Sequence, residues 1–363
     1  MKSIAYFVTP HGFGHATRAS AVMAALQRRH SHLCCEIFTR VPRWLFAESL
    51  PGPFTYHEMY TDVGLVQHDA LNVDLETTLT HLGQLIPFAP TLLDDLSERV
   101  QRAGCEMIFC DIAPLGIAVA QRAGIPSVVV ENFTWDWIYA GYVELAPRLQ
   151  PYIEWMAAQF AAASIHIQTE PVCRPGPTWW PTDLTTAPVA RALRTPGHEI
   201  RRALRIPQDA SLVLVTMGGM DWRHSRLDQL GEMASVHFLF TGGAAQGTIP
   251  GNVHFLGQDS GFFHPDLVAA SDGVVGKLGY STLAEVFYAG VPYGYIPRAH
   301  FRESAELAAF IHVQMSGLPI GEEKFTHGGW IDSIPALLAQ PRHHHDPING
   351  AEQIAAFVSD LKL

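Results

Sequence analysis

Charge is scarce in this sequence: Asp, Glu, Lys and Arg make up 16% of its 363 residues, and 35 acids against 24 Lys and Arg leave a formal net charge of -11. A surface of that sign repels nucleic-acid phosphates unless a strong basic patch interrupts it. The one short basic cluster, Arg191 to Arg205, is itself broken by Pro196 and Glu199, so no nucleic-acid partner is expected. Apolar runs long enough to cross a membrane are missing as well, and the run Ile4 to Val8 ends at Pro10 and His11, too short for a signal-peptide core. The cytoplasm is the expected address, with no transmembrane segment; peripheral membrane contact stays compatible with the sequence.

Cysteine is equally thin. Cys34, Cys35, Cys105, Cys110 and Cys173 are odd in number, scattered and without CxxC spacing, which argues against a disulfide framework or a zinc site and for reduced, mostly buried thiols. His343, His344 and His345 with Asp346 suggest metal ligands, but adjacent side chains do not easily converge on one ion, and a solvated loop is expected. No DxD pair marks a metal-held diphosphate, so a metal-free chemistry without a cofactor is expected.

What the chain does have is core material: 48% apolar residues, including eight Trp and nineteen Phe. Its length exceeds what one core usually organises. Two domains are expected, residues 1–190 and 191–363, with the last helix a candidate to pack back on the first domain. The alternation of short β-rich runs with amphipathic stretches points to parallel sheets covered by helices. Strands are predicted at Ile4 to Thr9, Met107 to Cys110 and Ser127 to Val130, then at Leu212 to Thr216, Val236 to Phe240, Val253 to Leu256, Gly273 to Val275 and Tyr293 to Ile296. Between Glu170 and Pro196 the pattern lapses into Pro, Gly, Thr and Trp, which suits a domain connection.

The most informative segment runs from Gly276 and Lys277 through Gly279, Tyr280, Ser281, Thr282 and Glu285 to Gly290 and Pro292. A Gly-rich turn opening a helix lets backbone N–H groups approach a diphosphate, with the hydroxyls of Ser281 and Thr282 and the charge of Lys277 as further donors. Glu285, about one turn on, is placed to accept from ribose hydroxyls. An ordinary helix capped by Ser281 or Thr282 and ended by Gly290 gives the same spacing. The diphosphate reading gains from two more glycine loops after predicted strands: Met217, Gly218, Gly219, Met220, Asp221, and Thr241, Gly242, Gly243. Loops at such strand ends surround one crevice.

This block, with Arg298 and Phe301 to Glu303, resembles the donor-binding region of GT-B glycosyltransferases, the plant UDP-sugar transferases and MurG-type enzymes among them. The resemblance implies an α/β chain of GT-B fold, two doubly wound Rossmann-like domains facing a central cleft, with a nucleoside diphosphate sugar held by the C-terminal one. Lys277 stands where the plant signature has a phosphate-binding His, while the acidic-Gln pair that reads the sugar there is replaced around Glu303 and Ser304. A second resemblance spans His11 to Arg18, Asp62 to Asp74, Asn132 to Tyr142 and the Gly276 block. It is to the glycosyltransferase-like N-terminal domain of plant L-arabinokinases; no GHMP-kinase half is present here.

The loop Pro10 to Arg18 joins the first strand to the first helix, with Gly12 and Gly14 permitting a tight, exposed turn. A nicotinamide site wants a third Gly where Thr17 stands and an acid ending the second strand, and both are missing. His15 instead matches the His that MurG-type and plant transferases carry here, with a titration range that suits a general base. Asp111, after the Met107 to Cys110 strand, is its expected carboxylate partner. His11 is the alternative base, leaving His15 for donor phosphate, and Arg18 reads as a solvated helix residue. Trp135, Asp136, Trp137 and Tyr139 form either an aromatic corner, with Trp137 favoured for the core, or an acceptor platform. Asp136, and likewise Asp62, Gln67, His68 and Asp69 in a polar segment, are candidates for sugar hydroxyls, with a surface loop as the equal alternative. The whole implies a metal-independent glycosyltransferase, with an epimerase or hydrolase of nucleotide sugars, or a non-catalytic sugar-nucleotide-binding domain, as alternatives.

Overall fold

Burial along whole strands, rather than alternation, sets the architecture. A computed structural model describes residues 1–67, 72–173, 180–218, 223–224, 226–245, 248–257, 260–298 and 300–361. It divides into two units, one made of Met1–His68, Asn72–Ala190 and Pro347–Leu363, the other of Asp69–Leu71 and Arg191–Asp346.

The first unit carries β1 (Ser3–Val8), β2 (Cys34–Thr39), β3 (Phe54–Glu58), β4 (Ile108–Asp111), β5 (Ser127–Glu131), β6 (Ile165–Thr169) and β7 (Leu184–Thr186). They form one parallel sheet in the order β3-β2-β1-β4-β5-β6-β7. Every residue of β1, β4, β5 and β6 is buried, as befits a parallel sheet covered on both faces. On one face Ile4, Tyr6, Val8, Phe109, Val128 and Ile167 meet Ala19, Val22, Met23 and Leu26 of the first helix, Phe13–Arg29. The last helix, Gly350–Asp360, joins the same core through Ile354, Ala355 and Val358, and Asn349 caps it by accepting from the Ala351 N–H.

The second unit carries β8 (Ser211–Thr216), β9 (Arg223–His224), β10 (Val236–Thr241), β11 (Ala244–Ala245), β12 (Val253–Leu256), β13 (Gly273–Lys277), β14 (Tyr293–Ile296) and β15 (Gly317–Pro319). Six of these make a parallel sheet in the order β12-β10-β8-β13-β14-β15, and β9 and β11 pair separately. Val213, Val215, Phe238, Phe240 and Val275 of that sheet bury against Leu227, Leu230, Trp330, Ile334 and Leu337.

Both sheets are doubly wound, and each has a strand-order reversal, between β1 and β4 and between β8 and β13. The crevice beyond the strand C-termini at such a reversal is where this architecture binds ligands. The sequence reading is corrected in two places. Asp111 ends β4 instead of following it, and the stretch read as a connection supplies β7, the edge strand of the first sheet. No helix among the described residues is long and apolar enough to cross a membrane.

Candidate functional site

At the reversal in the first sheet, the chain leaves β1 through Gly12, whose φ of 71° is open to glycine at little cost, and enters the first helix at once. Gly14 lies in the opening turn of that helix and accepts from the Thr17 hydroxyl through its carbonyl, 2.8 Å away. His15 follows, buried, with its Nδ1 2.7 Å from Oδ1 of Asp111 at the end of β4. The two residues paired in the sequence reading are therefore in direct contact.

Arg18 closes on the same carboxylate. Its Nε donates to Oδ2 at 2.8 Å and its Nη2 to Oδ1 at 2.7 Å, while Nη1 donates to Oδ1 of Asn132 at 2.6 Å. Only 2% exposed, Arg18 is no solvated helix residue, which corrects the expectation. Burial pushes the Asp111 pKa up, but the charge and bonds of Arg18, with His15, outweigh it and hold the carboxyl below its ordinary value. An ionised carboxylate only accepts, so the hydrogen of the 2.7 Å contact sits on His15 Nδ1.

The backbone beyond Asp111 is strained: Ile112, a buried β-branched residue, has a φ of 47° and is held by an antiparallel bridge to Val8. Strain of this kind costs of order 1–3 kcal/mol and persists where surrounding structure enforces it, commonly at functional sites.

Aromatic rings surround His15. Phe133 meets it edge-on at 5.8 Å, and Trp135 lies 6.1 Å away. His11 stands edge-on to Trp135 at 5.3 Å, and its Nε2 accepts from the Gln67 amide at 3.1 Å. Trp135, not Trp137, is the core residue; Trp137 is half-buried. Asp62 is buried too, taking bonds from the Thr9 hydroxyl at 2.6 Å and the Trp135 indole at 3.0 Å, and burial pushes its pKa up to about 7. Its carboxylate anchors Trp135 rather than presenting itself to a sugar. Asp136 is buried, and His68 and Asp69 lie outside the described residues.

At the reversal in the second sheet, β13 and β8 approach so closely that a Cβ on Gly276 would lie 2.3 Å from the Thr216 carbonyl oxygen. Lys277 then ends β13, half-buried. Its side chain leans on Gly218, where φ is 65° and a Cβ would come within 2.9 Å of Lys277 Cε and 3.6 Å of Nζ. Among the described residues no hydrogen-bond or ion-pair acceptor serves that ammonium. Burial and the neighbouring Arg298 charge lower its pKa to about 7, against the pull of Glu303. Arg298 itself is held by Glu303 at 2.8 Å and lies 3.6 Å over the Phe301 ring.

Beyond Lys277 the helix Tyr280–Ala289 opens from an extended Gly279 with no side-chain cap, so Ser281 and Thr282 sit in the first turn instead of capping it. Tyr280 and Thr282 are buried, and Gly290 ends the helix at a φ of 65°. Gly242, at a φ of 78°, follows β10 on the same sheet edge; Gly219 and Asp221 lie outside the described residues.

Glu285 is where the expectation and the geometry diverge. Its Oε1 accepts from Arg191 Nε at 3.2 Å and Nη2 at 3.1 Å, and its Oε2 pairs with His264 Nδ1 at 2.7 Å. Burial alone raises its pKa, yet Arg191 and His264 hold it low. The carboxylate expected on ribose thus spends its bonds inside the unit, and His264, whose Nε2 lies 3.4 Å from the Thr216 hydroxyl, is the more exposed member of the network. Arg191, read as part of a basic cluster, is a buried ion-pair residue.

Sequence reasoning missed Arg18, Asn132, Arg191 and His264. Arg18 had a signal, since it stands three residues after His15 on one helical face; the others are joined only through tertiary contacts. Outside both networks, His345 stacks on Phe287 at 4.1 Å while His343 and His344 are exposed.

No protein-family model matches the chain. An Arabidopsis thaliana L-arabinokinase is 30% identical over 366 residues, covering 99% of this chain and 34% of that protein, so the chain spans about a third of the length of the curated relative it matches. Among solved structures, the spinosyn forosaminyltransferase SpnP superposes with a TM-score of 0.63 at 17% identity, covering 99% of this chain and 95% of that one. Medicago truncatula UGT71G1 complexed with UDP-glucose gives 0.63 at 13% identity over 100% and 95%. Acinetobacter baumannii MurG gives 0.54 at 12% identity over 99% and 100%. With its two doubly wound parallel sheets, the chain has the GT-B glycosyltransferase fold.

Proposed function

We propose that this chain transfers a glycosyl group from a nucleoside diphosphate sugar to an acceptor hydroxyl. The observation that carries the reading is His15, held by the buried, ionised Asp111 at the strand-order reversal of a GT-B sheet. With Nδ1 occupied by that carboxylate, Nε2 takes the acceptor proton as the oxygen attacks the anomeric carbon. The bond from that carbon to the diphosphate breaks on the opposite face, which inverts the centre. On the second unit, taken by itself, Lys277 and the uncapped turn Gly279 to Thr282, with Arg298 beside them, are the groups we assign to diphosphate binding. That one solved relative in fold was complexed with UDP-glucose supports a nucleotide sugar as donor.

A second reading has one observation in its favour: the L-arabinokinase likeness covers 34% of that protein, which suits a sugar-nucleotide-binding module without turnover. A thermal-shift screen of UDP, GDP and their sugars tests what the two readings share. Binding at a hundred times Kd stabilises the native state by about 2.7 kcal/mol, so a nucleotide that fits raises Tm clearly. A flat response to every nucleotide at millimolar concentration would defeat both readings. Product analysis with a sugar acceptor then separates transfer from hydrolysis, epimerisation or silent binding.

A further inference from the structure

We infer that Arg18 is a positioning residue for the base: it locks Asp111 so that His15 stands as the neutral Nδ1–H tautomer, its Nε2 lone pair ready for the acceptor. The inference rests on the reading of His15 as that base. Its ground is the closed geometry of three side chains at the reversal between β1 and β4. Arg18 occupies Oδ2 and part of Oδ1 with two N–H groups of one rigid fork, and leaves Asp111 a single direction, through Oδ1, in which to meet His15 at 2.7 Å. Asn132 braces the third guanidinium nitrogen at 2.6 Å, so the fork cannot swing.

The charges decide the protonation state. In a His–Asp pair standing alone, a buried carboxylate favours the imidazolium and so blocks the base with a proton it already holds. Here the guanidinium charge compensates Asp111, and its Nη2 lies 3.3 Å from His15 Nδ1, where an added imidazolium charge is opposed directly. The Nε2–H tautomer would let Nδ1 accept from Arg18 Nη2 at 3.3 Å but would set it lone pair to lone pair against Asp111 Oδ1 at 2.7 Å, the closer of the two contacts. Among the described residues, the other titratable groups near this pocket are Tyr6 and Cys110, buried beside Asp111, Asp62, screened behind Trp135 and Thr9, and His11, across the Trp135 ring. The Nδ1 contacts described are with Asp111 Oδ1 and Arg18 Nη2.

Direct nitrogen detection on this chain with 15N-labelled histidine, His15 assigned by the signal lost in His15→Gln, reads the tautomer. In the unaltered protein at pH 7.5 the expected spectrum has a protonated Nδ1 and a bare Nε2. Arg18→Met is expected to move His15 to the doubly protonated form, to lower kcat by tenfold or more, to shift the acidic limb of the pH-rate profile upward, and to leave the UDP Kd within twofold. Arg18→Lys keeps the charge without the fork and is expected to fall between the two. A doubly protonated or Nε2–H His15 in the unaltered protein overturns the inference, and so does an Arg18→Met variant with unchanged tautomer and kcat. Should Arg18→Met fail to fold, the unaltered spectrum and Arg18→Lys decide. Failure of the base reading looks different: His15→Ala then keeps full transfer, whatever its tautomer was.

Discussion

The two strand-order reversals of this chain have the same topology and opposite electrostatics. At the first, Asp111 meets Arg18 and His15, and Arg18 is braced by Asn132. At the second, Glu285 is answered by Arg191 and His264, and Arg298 by Glu303, but the Lys277 ammonium is set against Gly218 with no acceptor among the described residues. A closed network suits a group that must stand in one orientation before any ligand arrives. A half-buried cation of lowered pKa suits a site that an anion completes, since part of its solvation is already lost.

That contrast can be broken from either side. The largest effect is expected from His15→Ala, which should cut transfer by about 10²–10⁴-fold, the usual worth of general base catalysis, while leaving UDP affinity unchanged by calorimetry. A parallel loss of affinity would mean that His15 serves the donor and that the two reversals divide their labour differently. Next comes Lys277→Met: a charge-assisted bond to phosphate is worth about 1.5–3 kcal/mol, so UDP should bind roughly tenfold to a hundredfold more weakly, and equal binding by this variant removes the lysine from the phosphate grip.

The smallest effect per step is the pH dependence. Lys277 in the empty site has its pKa lowered to about 7, and a bound diphosphate raises it. Below pH 7 the ammonium is already charged and affinity is at its plateau; above pH 7 binding must take up a proton, so Kd rises by up to about tenfold per unit. UDP itself finishes ionising near pH 6, so titrations between pH 7 and 9 isolate the lysine. Lys277→Arg, charged throughout, should flatten that slope; an equally steep slope in that variant assigns the proton elsewhere.

Much of this was legible in the sequence because it lies in strand ends and the loops after them. The runs at Ile4, Leu212 and Val236 are apolar along their length, which is how strands buried on both faces read, and the glycines mark where the chain turns out of the sheet. His15 and Asp111 were found because each sits at such an exit. What stayed hidden was the charge partnership. Arg18 looked solvated because a helical pattern shows which face is apolar, not that a carboxylate 93 residues away makes a buried guanidinium stable. Glu285 looked available for the same reason: Arg191 and His264 reach it only through the fold.

The last helix carries a consequence for how this chain assembles. Ile354, Ala355 and Val358 complete the core that β1 and the first helix begin, although more than 300 residues separate them. On a ribosome the strands of the first unit are thus made before the second unit, and the helix that completes their core after it. The second unit, continuous from Arg191 to Asp346 apart from Asp69–Leu71, has nearly all of its chain in hand before that helix is made. Until the helix docks, Ala19, Val22 and Leu26 lack part of their covering, an interval of exposed apolar surface during which chaperone capture competes with completion.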